Sequence, residues 1–356
     1  MDLDAVLAMG LDAKASDIFF KVGTPPAMRV DGDVMPVDSN FAPLTEEDID
    51  TFLAVILRPE QIARFNEVLE GDCAYALPGR CRFRVNIYRQ RGTTGIVFRI
   101  IPLEIPTVEE LKLPPVLKRI AANRTGFILV AGPTGCGKTT TLASMVDLIN
   151  RSRRGHIVTI EDPIEFMHQD RRSIVSQREV MIDTTNFARA LRAVLRQAPD
   201  VILIGEMRDQ ESIGVAMAAA ETGHLVLSTL HTNSASETVE RIVNMFPPHE
   251  KPQICLRLSQ TLRAVICQQL VPHKSGEGRI AANEIMVVNP TIQGYIEEGT
   301  IGNIYPIIKQ SEEQYGMQTM NMSLDRLVRS GDIEPREALA RAGNLTELKM
   351  MLRQTD

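Results

Sequence analysis

Two rhythms of apolar and polar positions divide the chain. Through about residue 101 the dominant rhythm is a two-residue alternation: in Arg82–Arg89, Phe83, Val85 and Ile87 point one way while Arg82, Arg84 and Asn86 point the other. With runs at 72–77 and 94–101, the latter carrying Arg99, this predicts an antiparallel sheet. Upstream, 18–22, 27–30 and 34–37 read as further strands, with Asp31-Gly32 the strongest hairpin signal. Helices are expected at Asp2–Met9, after Thr45 and at Pro59–Glu70. Thr45 suits an N-cap, Asp48 takes the capping-box position, and Ile49, Phe52, Leu53 and Ile56 follow on one face.

Beyond Pro102 the rhythm changes. Four prolines in the 14 residues Pro102–Pro115 block a continuous helix and mark an interdomain linker. A helix is expected over 116–123. Short continuous apolar runs follow at 127–131, 157–160, 201–204 and 225–229, each ending at a polar or charged residue. Such runs suit a parallel sheet covered on both faces, whose ligands bind at the C-terminal edge. From Asn289 the pattern becomes short amphipathic helices at 291–298, 323–330, 334–341 and 346–354, broken at Gly299, Gly331 and Gly343. The predicted organisation is an α/β protein with an N-terminal α+β domain at 1–101, a linker at 102–115, and a second domain at 116–356 that includes a helical region from about 289.

Composition narrows the function. A net charge of −6, no Trp and 4% aromatic residues disfavour a nucleic-acid binder built on a basic field and base stacking. Five cysteines without a CxxC pair read as reduced thiols and give no zinc motif. No signal peptide or 18-residue apolar run stands out, so a cytoplasmic location with only peripheral membrane contact is expected.

The chemistry centres on Gly132-Pro133-Thr134-Gly135-Cys136-Gly137-Lys138-Thr139-Thr140, which matches GxxxxGK[ST] directly after an apolar run. Glycines let successive backbone N–H groups point at a phosphate, and the following helix adds its partial positive end. Lys138 would reach the β- and γ-phosphates of ATP, and the Thr139 hydroxyl would hold Mg²⁺. Cys136 is either a small residue tolerated in the loop or a thiol made reactive by Lys138 and the helix end. Three clusters follow the other apolar runs. Glu161 and Glu165 lie in a carboxylate-rich turn suited to metal waters or proton acceptance. Glu206 ends Asp200–Glu206 in a Walker-B-like position on the metal side, with Asp200 read as a cap. His224 and His231 bracket another run and suggest a nucleotide-state sensor. The arginine row is either a solvated face or a set of guanidiniums that meets a phosphate across a domain or subunit boundary.

Together, GPTGCGKTTT, IVTIEDPIEFMH, IVSQREV, RQAPDVILIGEMRD and AETGHLVLSTLHTNSA resemble the secretion ATPase superfamily, and within it the type IV pilus retraction ATPases of the PilT/PilU family. The resemblance spans essentially the whole chain. It implies a PAS-like N-terminal domain, a RecA-like P-loop ATPase domain with a helical C-terminal extension, and a homo-hexamer with ATP between subunits. It implies further that Glu165 polarises the attacking water, with Glu161 as runner-up, and that Glu206 acts near the metal. His224 and His231 would form a His box, and Arg82, Arg84 or Arg99 would reach the γ-phosphate. The implied partners are an inner-membrane pilus platform protein and a paralogous pilus ATPase. One departure stands out: where PilT-type enzymes carry an AIRNLIRE-like segment, this chain reads Thr291-Ile-Gln-Gly-Tyr-Ile-Glu-Glu298. The expected function is ATP hydrolysis driving pilus retraction; the alternatives are an accessory or scaffold ATPase beside another pilus motor, and a RecA-like nucleic-acid translocase.

Overall fold

The computed structural model describes residues 1–30, 32–101 and 104–353. Asp31 of the predicted Asp31-Gly32 turn, Pro102 and Leu103 of the predicted linker, and Gln354 at the end of the last predicted helix lie outside the described residues. Two compact units result: Met1–Glu104 with Glu165–Met167, and Ile105–Ile164 with His168–Asp356.

The first unit is built on strands β1 (Asp17–Lys21), β2 (Ala27–Val30), β3 (Asp33–Pro36), β4 (Glu70–Leu77), β5 (Cys81–Gln90) and β6 (Thr93–Ile101). They form one antiparallel sheet in the order β3-β2-β1-β6-β5-β4. Alternation sorts the side chains as the pleat requires. Phe83, Val85 and Ile87 are fully buried, whereas Arg84 and Asn86 are exposed. Phe98 meets Phe20, Phe83 and Tyr75 edge to face, the geometry favoured by opposed ring quadrupoles. The helix Glu46–Ile56 seals this core with Ile49, Phe52 and Leu53. Its N-terminus carries the full capping box, Thr45 accepting from the Asp48 N–H and Asp48 from the Thr45 N–H.

The second unit contains β7 (Gly126–Ala131), β8 (His156–Glu161), β9 (Ile174–Glu179), β10 (Val201–Ile204), β11 (Leu225–Leu230), β12 (Leu262–Pro272) and β13 (Arg279–Val287). Their order is β13-β12-β7-β11-β10-β8-β9. Every neighbouring pair is parallel except β12 with β13. Every residue of β7, β10 and β11 is buried, because helices cover both faces. Phe127 and Leu129 pack into one apolar cluster and Ile128 and Val130 into another, on opposite faces of the sheet. Strands β9, β12 and β13 are additions to the four predicted.

The proline-rich stretch is no free tether. From Ile105 it belongs to the second unit, where Val108 and Leu113 are buried and Lys112 pairs with Asp332 at 2.9 Å. The C-terminal region is helical as expected, with Pro290–Glu297, Met320–Arg329, Pro335–Ala340 and Leu345–Arg353 joined by two short helices at Ile304–Gln310 and Glu312–Tyr315.

Candidate nucleotide site

Parallel strand order brings the sequence clusters to one edge. β7, β11, β10 and β8 are successive neighbours, so the residues leaving their C-terminal ends, the 132–137 loop, His231, Glu206 and Glu161, line the same side of the sheet.

The loop turns as its composition requires. Gly132, Gly135 and Gly137 all have positive φ, a backbone region nearly closed to side chains with a Cβ. At Gly132 and Gly137 space is also lacking: an added Cβ would lie 2.4 Å from the Gln268 carbonyl oxygen and 2.8 Å from Gln268 Nε2, respectively. The helix Lys138–Ser152 then begins. Lys138 folds back over the loop, its ammonium donating to the Gly132 and Pro133 carbonyls at 2.8 and 2.9 Å. Pro133, Thr134 and Gly135 are exposed, and Thr139 and Thr140 are half-buried.

Glu206 follows the short turn after β10. Gly205 is fixed there because its N–H donates to the Ile160 carbonyl and its own carbonyl accepts from Thr229 Oγ1 at 2.6 Å. The Glu206 carboxylate lies 2.8 Å from Arg208 and 3.2 Å from His231 Nε2. Burial pushes its pKa up, but the Arg208 hydrogen bond and charge, helped by His231 and Lys138, outweigh that and hold it below the usual carboxylate range. Arg208, which pattern reading passed over, stands two residues beyond the strand-end carboxylate and is the cation that keeps it ionised.

Other predicted residues fall elsewhere. His224 enters β11 at its N-terminal end, where Nδ1 lies 2.9 Å from the Ala219 carbonyl and 3.1 Å from the Thr222 hydroxyl. The six residues of β11 separate it from His231 by about 20 Å at strand rise, so within one chain the two histidines do not form a pair at this edge. Asp200, read as a cap, stands at the start of β10; its carboxylate accepts from the His156 N–H at 2.8 Å and ties the start of β10 to that of β8. Glu161 is buried and accepts from Thr159 Oγ1 at 2.7 Å and Gln177 Nε2 at 3.1 Å. It sits in register with a second buried carboxylate, Glu179 of β9, which sequence reading missed because β9 carries no apolar run. Glu165 is exposed. Cys136 is buried, and burial raises its thiol pKa against the opposing pull of Lys138, which removes the condition of exposure on which a reactive thiol depended.

On the N-terminal unit, Arg84 and Arg99 are register partners on β5 and β6. Arg99 pairs with buried Asp17 at 2.9 Å, Arg84 lies 3.9 Å from Asp72, and Arg82 is half-buried.

Beside the loop, on the second unit, opens a cavity of about 290 Å³. Thr140 and Thr141 form one wall, Leu111, Leu270 and Ile280 give it apolar surface, and Arg279 supplies a cation.

A glycine loop folded around a lysine, with a strand-end carboxylate and a histidine at the same edge of a parallel sheet, defines a P-loop nucleotide-binding protein of RecA-like type. Residues 80–339 match the family described as Type II/IV secretion system protein, and the chain belongs to that family. It is 45% identical to the type IV pilus retraction ATPase PilT of Pseudomonas aeruginosa over 342 residues, 96% of this chain and 98% of that protein. It is 42% identical to the type IV pilus ATPase PilU of the same organism, over 99% of this chain and 92% of that one. Among solved structures it resembles the pilus retraction motor PilT with bound ADP, at a TM-score of 0.92 and 38% identity, covering 98% and 99% of the two chains. No helix among the described residues is long and apolar enough to cross a membrane.

Proposed function

We propose that this chain is a Mg²⁺-dependent motor ATPase that hydrolyses ATP to drive retraction of a type IV pilus. The observation that carries the reading is the convergence of Lys138, Glu206 and His231 at one sheet edge, within a chain that resembles PilT along nearly its whole length. The loop N–H groups and Lys138 would hold the β- and γ-phosphates, and the cavity next to it would take the nucleoside, its apolar wall meeting the base.

The residues fit Mg²⁺. No group of three or more His, Cys, Asp or Glu among the described residues is arranged to hold a metal by itself, which suits an ion that keeps several waters and takes most of its remaining oxygens from the nucleotide. Thr139 would supply one hydroxyl, and Glu206, kept ionised by Arg208, would orient the ion's waters. The bound ion would neutralise charge developing on the phosphates. Glu165 suits the general base better than Glu161, because Glu161 is buried under two hydrogen-bond donors whereas Glu165 is open to solvent. At least one of Arg82, Arg84 and Arg99 remains the proposed γ-phosphate contact. The domain at 1–101 and the domain at 116–356, with the stretch from Ile105 packed as part of the latter, would work within a homo-hexamer, cytoplasmic and docked on the inner-membrane platform.

An accessory role is the second reading, supported by the near-equal identity to PilU and by Gln293 and Glu297 at two arginine positions of the PilT-type segment. Deletion of the gene, scored for pilus number and twitching, tests retraction: excess pili without twitching supports a primary motor, unchanged retraction supports the accessory role, and loss of pili contradicts both. Hydrolysis by Glu165→Gln separates enzyme from scaffold, with a loss of about a hundredfold expected of the base.

A further inference from the structure

We propose that Gln268 is the positioning residue of the phosphate loop, holding its backbone in the phosphate-binding form from a neighbouring strand. The proposal rests on the reading of that loop as a nucleotide site. Gln268 lies on β12, is 3% exposed, and spends its whole amide on or beside the loop. Nε2 donates to the Cys136 carbonyl at 2.6 Å, while Oε1 accepts from Thr141 Oγ1 at 2.8 Å and from Asn283 Nδ2 at 3.1 Å. Its backbone and side chain are also what a Cβ at Gly132 or Gly137 would strike. Both glycines, the middle of the loop and the first turn of the helix therefore close onto one residue.

The consequence for phosphate follows from the peptide plane. A trans peptide points its C=O and N–H in opposite directions. Anchoring the Cys136 carbonyl outward on Gln268 thereby turns the Gly137 N–H the other way, into the concave side of the loop where a phosphate oxygen would be received. Without the anchor, this peptide is free to turn over, because Gly137 tolerates either sign of φ. Preorganised donors are what such a loop contributes to binding, and losing one lowers affinity by the cost of re-ordering it.

The anchor is itself braced. Gln268 and Asn283 are register partners on β12 and β13. The Asn283 carbonyl accepts from Gln318 Nε2 at 2.7 Å, and Arg326 of the helix Met320–Arg329 donates to Gln318 Oε1. The strand that carries Asn283 is thus tied to the C-terminal side of the unit, and Gln268, buried beneath the loop, is a fixed post rather than a surface contact.

The test measures affinity for a fluorescent ADP analogue, together with KM and kcat for ATP, on the full chain. Gln268→Met keeps length and volume but cannot donate to the Cys136 carbonyl. A Kd and KM raised about tenfold, equivalent to about 1.4 kcal/mol, are expected with kcat within about twofold, since the anchor serves binding of ground and transition states alike. Lys138→Ala, measured beside it, distinguishes the two readings. If Lys138→Ala loses nucleotide while Gln268→Met binds like wild type, or loses kcat at unchanged KM, the positioning role is wrong. If Lys138→Ala binds normally, the site itself is misassigned. Should Gln268→Met fail to fold, as judged by circular dichroism, Thr141→Val and Thr141→Ser decide: weaker binding in the valine variant restored by serine supports the anchor, and equal affinities overturn it.

Discussion

The two sheets solve burial in opposite ways. In the N-terminal sheet, residues alternate along β5 between full burial at Phe83, Val85 and Ile87 and exposure at Arg84 and Asn86. In the second unit, β7, β10 and β11 have no exposed position at all. An antiparallel sheet with one covered face leaves its other face available for charge, and this chain places its arginine row there. A parallel sheet covered on both faces has only its edges left for chemistry, so reactive groups gather where the strands end. The proposed nucleotide site therefore sits in loops whose positions are set by a buried, mostly apolar scaffold.

This contrast predicts different substitution profiles. Phe83→Ala, which removes a ring stacked edge to face on Phe98, should cost about 3–5 kcal/mol in urea unfolding. A cost below about 1 kcal/mol would mean that this face is not a packed core. Second in size is a pH effect in the covered unit. His168 is mostly buried; desolvation lowers its pKa from 6.5 to about 4 against the opposing attraction of Asp147. Between those values the unfolded chain holds a proton that the folded chain does not, so stability climbs as pH rises from 4 to 6.5 and is flat above. The climb is at most about 3 kcal/mol. His168→Gln should flatten it, and an unchanged slope would assign it to other groups.

Smaller effects sharpen the comparison further. Ser228, inside β11, donates to the Ile204 carbonyl at 2.7 Å, and Ser228→Ala should cost about 1 kcal/mol by leaving that acceptor short of a partner. Arg84→Ala, one residue from Phe83, should change stability by less than about 0.5 kcal/mol. Were Arg84→Ala as damaging as Phe83→Ala, the two faces of the N-terminal sheet would not differ as described.

Much of this arrangement was legible in the chain. Alternation assigned β4 to β6 and their faces, and Thr45 with Asp48 announced a capping box that the structure contains. Unbroken apolar runs located β7, β8, β10 and β11, and the loop, Glu206 and His231 followed because each succeeds such a run. What stayed hidden lacks a local signal. β9, Ile174-Val-Ser-Gln-Arg-Glu179, is an edge strand whose pattern is too polar to stand out. β12 begins directly after the helix Lys251–Thr261 and β13 follows β12 across a turn, and they carry Gln268, Asn283 and Glu284 among apolar residues, so their polar members read as interruptions. Those interruptions hold the polar network behind the loop, which joins residues 127 to 132 positions apart in sequence. His224 precedes the β11 run and His231 follows it, so their order along the chain already places only His231 at the C-terminal edge.

The central claim is that Gly132–Thr140 is the ATP site of a working enzyme. Steady-state ATP hydrolysis in Mg²⁺, measured on wild type and Lys138→Ala prepared alike, tests it most directly. The account predicts turnover by wild type and a loss of at least about a hundredfold in the variant, since Lys138 is the one side-chain cation of the loop and meets charge that grows on the phosphates. Hydrolysis by Lys138→Ala at the wild-type rate would contradict it.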